Sequence, residues 1–420
     1  MKKRKGLHLI AYLLGVAMLL TAFTFCGKQA EKKLEIFSWW TAGGEAEGLA
    51  EMFKIYSNEN PGIEIVNATV AGGAGENAKA VLASRMQGGN PPDSFQVHAG
   101  HELIDSWVAA GKMEPIDFIF SNIMESYPKG VIDIISSKGH IYSVPVNIHR
   151  ANVLWYNKKL FKKYGLKAPD SLDEFFTVAQ KLKAKGVTPL ALGDKGIWSS
   201  VQLLETVLIA KLGANGYKGL WTGDTAWDSA GVKDAIKTFI KILGYANNNH
   251  NALEWDGAAQ LVIDGKCAMT VMGDWAEGYF KAKNLTPDVD FGWAPSPGTK
   301  GTFDALSDTF GLPIGAPHRA NAVKWLMVCA SKEGQDAFNP KKGSIPSRID
   351  GDKSLYDVYL QSAMADFSAN DIVPSLAHGA AASPSWLTMI SDAVTLLVTE
   401  KNADKADASF VDAAKKSLKM

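Results

Sequence analysis

Aromatic residues stand beside polar groups at a series of strand-to-loop transitions in this 420-residue chain. Trp39-Trp40 precedes Glu45, Asp274 precedes Trp275, Ser307 precedes Asp308, Lys342 precedes Gly343-Ser344, and His378 precedes Gly379. Paired Trp at a strand end usually belongs to a core. Here the strand runs into Gly43-Gly44, which brings at least one indole to the loop surface. An indole face stacks on the CH groups of a sugar ring, and adjoining charged and amide groups supply the fixed donors and acceptors its hydroxyls need. Of the 12 Trp, three are candidates for such stacking: Trp39, Trp40 and Trp275.

Motifs for bond-breaking chemistry do not appear. The sequence has no Gly-x-Ser-x-Gly, no His-Glu-x-x-His and no Cys-x-x-Cys. His98 and His101 are three apart, which suits one helix face, but no third ligand is spaced nearby, so no metal is expected. Nothing singles out a pair of carboxylates for glycoside hydrolysis; a secreted glycosidase with aromatic subsites stays as the alternative. Gly72, Gly73 and Gly75 lack the Gly-Lys-[Ser/Thr] ending of a phosphate loop and read as a loop before a helix. The 44 Lys+Arg balance 44 Asp+Glu, which excludes the basic surplus a nucleic-acid binder needs.

Elements must position these residues. The pattern predicts a strand over 34–40, a turn over 41–44 and a helix over 45–58, with Leu49, Met52, Phe53 and Tyr56 at helical spacing. Pro61-Gly62 breaks that helix. A strand over 63–66, a helix over 76–87 and a strand over 94–97 follow. This alternation predicts an α/β fold with a mostly parallel sheet. Further along come an edge strand around Pro145 and a core strand over 151–157. A helix follows, capped by Ser171 with Glu174 three residues on. The region 200–250 reads as helical with Trp221 and Trp227 in turns. A strand over 267–272, a Pro/Gly-rich passage over 294–301 and strand character over 305–313 come next. Helices fill the remainder from 321, interrupted over 339–347.

The first 25 residues change the charge balance. Lys2, Lys3, Arg4 and Lys5 precede an apolar run from Leu7 to Phe25, the order of an export signal, with a retained membrane helix as the other reading. Cys26 ends the run where a bacterial lipoprotein carries its lipidated cysteine. Phe25 is large for that motif, and Ala22 with Thr24 offers an ordinary cleavage site. Residues 26–33 read as a tether. Removing 1–25 leaves 40 Lys+Arg against 44 Asp+Glu, a net charge of −4. Cys267 and Cys329 are far apart in apolar segments and read as two buried thiols, not a disulfide.

Six motifs in order are similar to the solute-binding proteins of ABC carbohydrate importers, and among them to the glucose-binding group. They are Phe37-Ser38-Trp39-Trp40-Thr41-Ala42-Gly43-Gly44-Glu45, Gly89-Asn90-Pro91-Pro92-Asp93 and Pro145-Val146-Asn147-Ile148-His149-Arg150, then Met272-Gly273-Asp274-Trp275, Ser307-Asp308-Thr309-Phe310-Gly311-Leu312-Pro313 and Lys342-Gly343-Ser344-Ile345-Pro346. The resemblance spans about 34–420. It implies a two-lobed α/β protein of the periplasmic-binding-protein type II fold, with interlobe hinge crossings and a ligand cleft. The lobes would take 32–145 with 302–344, and 146–301 with 345–420. It further implies a non-enzymatic exported receptor, with no cofactor, that hands a hexose or other small sugar to permease subunits. Such a receptor would be a monomer in the periplasm or on the extracytoplasmic face, lipid-anchored if Cys26 is modified. An oligosaccharide-specific receptor and a chemoreceptor-docking sensor are the neighbouring alternatives. Residue by residue, Trp39 and Trp40 would stack, Glu45 and Asp308 accept, Lys342 and His378 donate, and Trp275 stack from the other lobe. His98 falls where some relatives carry a lysine. His149 and Arg150 are read as structural.

Overall fold

The computed structural model describes residues 32–418. The leader, Cys26 and most of the tether lie outside those residues. The first strand opens at Lys33, one residue before its expected start.

The strands that build the three main sheets are β1 (Lys33–Ser38), β2 (Glu64–Thr69), β3 (Ser94–His98), β4 (Ser143–Pro145), β5 (His149–Arg150) and β6 (Val153–Asn157). They continue with β7 (Thr188–Ala191), β8 (Cys267–Val271), β9 (Phe291–Pro295), β10 (Thr302–Leu306), β11 (Asp308–Gly311) and β12 (Asp371–Pro374). Helices that bear on the site are α1 (Gly43–Glu59), α2 (Glu76–Gln87), α3 (Leu172–Ala184), α4 (Trp198–Thr222), α5 (Trp255–Ile263), α6 (Trp275–Ala282) and α7 (Lys332–Lys342).

The first sheet has the order β2-β1-β3-β11-β4 and the second β9-β6-β8-β7. A third has the order β12-β10-β5. β1 is parallel to β2 and β3, as the strand-helix alternation predicts. β11 returns from late in the chain and runs antiparallel to β3 and β4. In the second sheet only the β8–β7 pair is parallel. The sheets are therefore mixed, not mostly parallel. Strands that re-enter from the other half have no helical crossover to impose a direction, and alternation in sequence does not encode it.

Local signals hold well. Ser171 Oγ accepts from Glu174 N–H at 3.2 Å at the start of α3, while Glu174 reaches back to Asp170 N–H at 2.7 Å. Pro145 sits in β4, at the edge of the first sheet, where a missing N–H costs no ladder bond. Cys267 and Cys329 are free and buried. Trp221 lies inside α4 and not in a turn, whereas Trp227 is outside a helix. α7 continues through Pro340 and stops at Gly343, whose φ of +79° suits a left-handed cap, so the break comes four residues later than expected.

Close backbone approach joins α1, α6 and α7. A Cβ on Gly44 in α1 would lie 2.1 Å from the Lys341 carbonyl oxygen of α7, and one on Gly278 in α6 would lie 2.5 Å from that of Lys342. Only glycine permits three helices to meet this tightly.

Candidate functional site

A cavity of about 300 Å³ lies between the two halves. It is lined by Trp39, Glu45, His98, Trp275, Asp308, Lys342 and His378, seven of the eight sequence candidates for ligand contact. Trp40 is the exception. It is 1% exposed and packs on Phe338 and Phe310, with ring centroids 4.9 and 5.6 Å away. The expectation that both indoles stack on ligand is corrected by this geometry: consecutive residues leaving a strand point to opposite sides, and only Trp39 faces the cavity.

Each side chain owes its place to a local device. Trp39 follows β1, and its backbone N–H donates to Gln96 Oε1 at 3.1 Å. Glu45 lies in the first turn of α1, where the helix N-terminus favours a carboxylate. The β3–β11 register sets Asp308 opposite His98. Trp275 opens α6 and folds back over Gly273, where any Cβ would come within 2.1 Å of the indole. Lys342 is the last residue of α7, and its ammonium meets Glu45 Oε1 at 2.7 Å. Glu45 and Lys342 thus face the cavity as an ion pair from two helices nearly 300 residues apart in sequence.

Asp308 is the electrostatic centre. Its oxygens accept from Gln96 Nε2 at 2.8 Å and Asn147 Nδ2 at 2.9 Å, with His149 Nε2 at 3.4 Å and His98 Nε2 at 3.7 Å. Burial pushes this carboxyl up, but the His149 contact and the charges of Lys342, His149 and His98 outweigh it. Asp308 is held well below the usual carboxylate range. His149 also pairs through Nδ1 with Asp274. Burial disfavours its charge, yet the Asp274 carboxylate prevails and raises its pKa above the ordinary histidine value. His98 bonds through Nδ1 to Glu102 at 2.8 Å. Lys79 and His98 overcome the burial of Glu102 and bring that carboxyl down to about 2. His378 behaves oppositely: burial, then the nearby His98 and Lys79, push it well below the ordinary value and keep it neutral.

His101 stands apart, half-exposed and paired with Asp105, so the two histidines do not form a metal site. Among the described residues no group of three or more His, Cys, Asp or Glu is placed to hold a metal ion.

Several lining residues escaped the sequence reading. His149, set aside as structural, lines the cavity, while its neighbour Arg150 is buried against Asp366 and the Phe303 ring. Trp198, Trp255 and Tyr279 supply further rings. The glycine-rich turn also lines it. A Cβ on Gly73 would lie 2.8 Å from the Trp198 indole, and one on Gly75 would lie 2.6 Å from that of Trp39. The glycines are there so that backbone can lie against two indoles. That requirement was the available signal for Trp198.

A model of the bacterial extracellular solute-binding protein family matches residues 34–336. A Pyrococcus horikoshii protein described as an uncharacterized ABC transporter extracellular-binding protein is 42% identical over 395 residues, covering 93% of this chain and 89% of its own. A probable sugar-binding periplasmic protein of Mesorhizobium japonicum is 33% identical, covering 96% of this chain and 98% of its own. A glucose-binding protein of Saccharolobus solfataricus is more distant, at 26% over 73% of this chain and 59% of its own. Among solved structures, a bacterial solute receptor described as exclusive for β-D-galactopyranose superposes with a TM-score of 0.82, covering 91% of this chain and 98% of its own. Its identity to this chain is 19%, so that likeness speaks to the fold alone.

Proposed function

The chain belongs to the bacterial extracellular solute-binding protein family, and on that premise we propose that it is a receptor for a single hexose, handed to the permease subunits of an ABC importer. It has the two-lobed α/β type II fold of that family, and its members bind solutes without transforming them, so the glycosidase alternative falls. The observation that carries the sugar reading is the cavity itself. The indoles of Trp39, Trp198 and Trp275 line it together with Asp308 and the Glu45–Lys342 pair. Aromatic faces beside charged acceptors and donors suit a ring with CH faces and a rim of hydroxyls.

Size supports a small ligand. About 300 Å³ is at the low end for small-molecule sites. Micromolar affinity requires about 8 kcal/mol, or roughly 0.7 kcal/mol per heavy atom for a hexose of about 12 atoms, inside the ceiling for small ligands. A disaccharide is the second reading, favoured by one more indole at the cavity wall, Trp255, edge-on to Tyr279 at 5.7 Å.

The two lobes, 32–145 with 302–344 and 146–301 with 345–420, would close on the sugar about the crossings near Pro145, residue 300 and Pro346. The mature protein would work as a monomer outside the cytoplasmic membrane, anchored through a lipid on Cys26; intact-mass spectrometry of the native protein decides the anchor. No helix among the described residues is long and apolar enough to cross a membrane. The deciding experiment is calorimetric titration of glucose, galactose, mannose and disaccharides. One hexose should bind with a micromolar Kd and be recovered unchanged. Absence of binding across the panel overturns the assignment.

A further inference from the structure

His378 reaches the cavity from the loop after β12, and the groups behind it determine which of its ring nitrogens carries a proton. Nδ1 lies 2.9 Å from Ser375 Oγ. The Ser375 hydroxyl is also 2.9 Å from Glu205 Oε1, and a hydroxyl has one proton to give. The other Glu205 oxygen accepts the backbone N–H groups of Leu376 at 2.6 Å and Ala377 at 3.1 Å, while the Tyr217 hydroxyl gives its one proton to the Pro374 carbonyl at 3.1 Å. Those N–H donors satisfy an ionised carboxylate.

Asp304, fully buried in β10, is a second carboxyl group whose electrostatics are tied to Glu205. No hydrogen-bond donor reaches either of its oxygens. Burial and the adjacent Glu205 push its pKa well above the usual carboxylate range, whereas burial raises Glu205 to about 7 against the pull of its donors. With Glu205 ionised, Ser375 turns its proton toward the carboxylate and shows His378 a lone pair. His378 must then carry its proton on Nδ1.

We infer that Ser375, Glu205 and Asp304 act as positioning residues that fix His378 as the Nδ1–H tautomer, so that Nε2 offers the ligand a lone pair and not a proton. The inference rests on the cavity being the ligand site, and it reverses the donor role that resemblance assigns to His378. Nε2 has no hydrogen-bond partner in the protein among the described residues, and the ring lines the cavity. Trp275, Trp198 and His98 meet it at near-perpendicular to tilted angles, with centroids 5.1, 5.8 and 5.4 Å away, which fixes its plane. Burial, then His98, Lys79 and His149, disfavour a second proton, opposed by Asp308. The ligand group at this point must therefore donate. A sugar hydroxyl fits; a methyl ether or carbonyl oxygen in its place does not.

The test uses the ligand-free mature protein with 15N-labelled histidine, read by long-range 1H–15N NMR at pH 8, where Glu205 is ionised. His378→Gln assigns the signals by deleting one set. The expected result is a protonated-type shift for Nδ1 and an unprotonated-type shift for Nε2. The reverse pattern, or averaged shifts, overturns the inference on wild-type protein alone. Ser375→Ala should move the two shifts toward each other while Ser375→Thr preserves them; an unchanged pattern in Ser375→Ala also overturns it. No sugar enters the measurement, so its outcome is separate from the question of whether sugar binds.

Discussion

His149 bridges Asp274, at the start of α6, and Asp308, in the first sheet, and its charge makes a signed prediction about stability. Its folded pKa is raised, so its contribution is fully present below the unfolded value of about 6.5 and is lost as pH rises through the folded value. Between those two values the native protein holds a proton that the unfolded chain has released. The slope there is about −1.4 kcal/mol per pH unit. Other buried groups titrate as well, so the quantity to measure is a difference. Urea unfolding of wild type and His149→Gln, at half-unit steps from pH 5.5 to 9, isolates the one site if both share an m-value. The wild-type advantage should be constant below about pH 6.5 and then decline at up to that slope. A difference that is flat across the range, or that grows with pH, refutes the picture of a charged imidazole clamped between two carboxylates.

Three further outcomes follow from the same geometry. Trp275→Ala should abolish measurable hexose binding by calorimetry and also lower stability by roughly 3 kcal/mol in thermal melts, because the indole packs on His149, Trp198 and His378. A melting curve identical to wild type would remove Trp275 from that cluster. Lys342→Met leaves the Glu45 carboxylate without its partner and removes the ammonium from over the Trp40 and Trp275 rings; we expect a loss of about 3 kcal/mol in urea titrations and at least tenfold weaker sugar binding. Equal affinity in the variant would show that the pair is structural only. Gly44→Ala should cost about 1–3 kcal/mol by overpacking against the Lys341 carbonyl, and an unchanged melting temperature would contradict the close approach of α1 and α7.

What could be read before any coordinates was what local chemistry encodes. Helix α2 has the bounds its pattern predicts, and Ser171 caps α3 because both the cap and its Glu174 partner are within one turn. Strand direction in β11 and β6 depends on which half the chain has just left, which no window of residues contains. Site residues divide the same way. Trp39 and Trp275 stood out because they stand near charged residues where strands run into loops. Trp40 misled because adjacency along the chain says nothing of which side faces the cavity. His149 was passed over since its value comes from Asp274 and Asp308, more than 120 residues away, and His378 draws its tautomer from Glu205, further still in sequence. Gly73 and Gly75 were visible, but their meaning depended on indoles that only the fold brings to them.

The glycine contacts among α1, α6 and α7 have one more effect. Glu45 is the residue after Gly44, and Lys342 is the residue before Gly343, whose own Cβ would lie 2.5 Å from the Gly278 nitrogen. The 2.7 Å gap between that carboxylate and that ammonium is therefore gauged by residues with no side chain, much as a spacer sets a spark gap. The polarity presented to a ligand on this wall is adjustable from positions that never touch it. A screen confined to cavity-lining residues would pass over them.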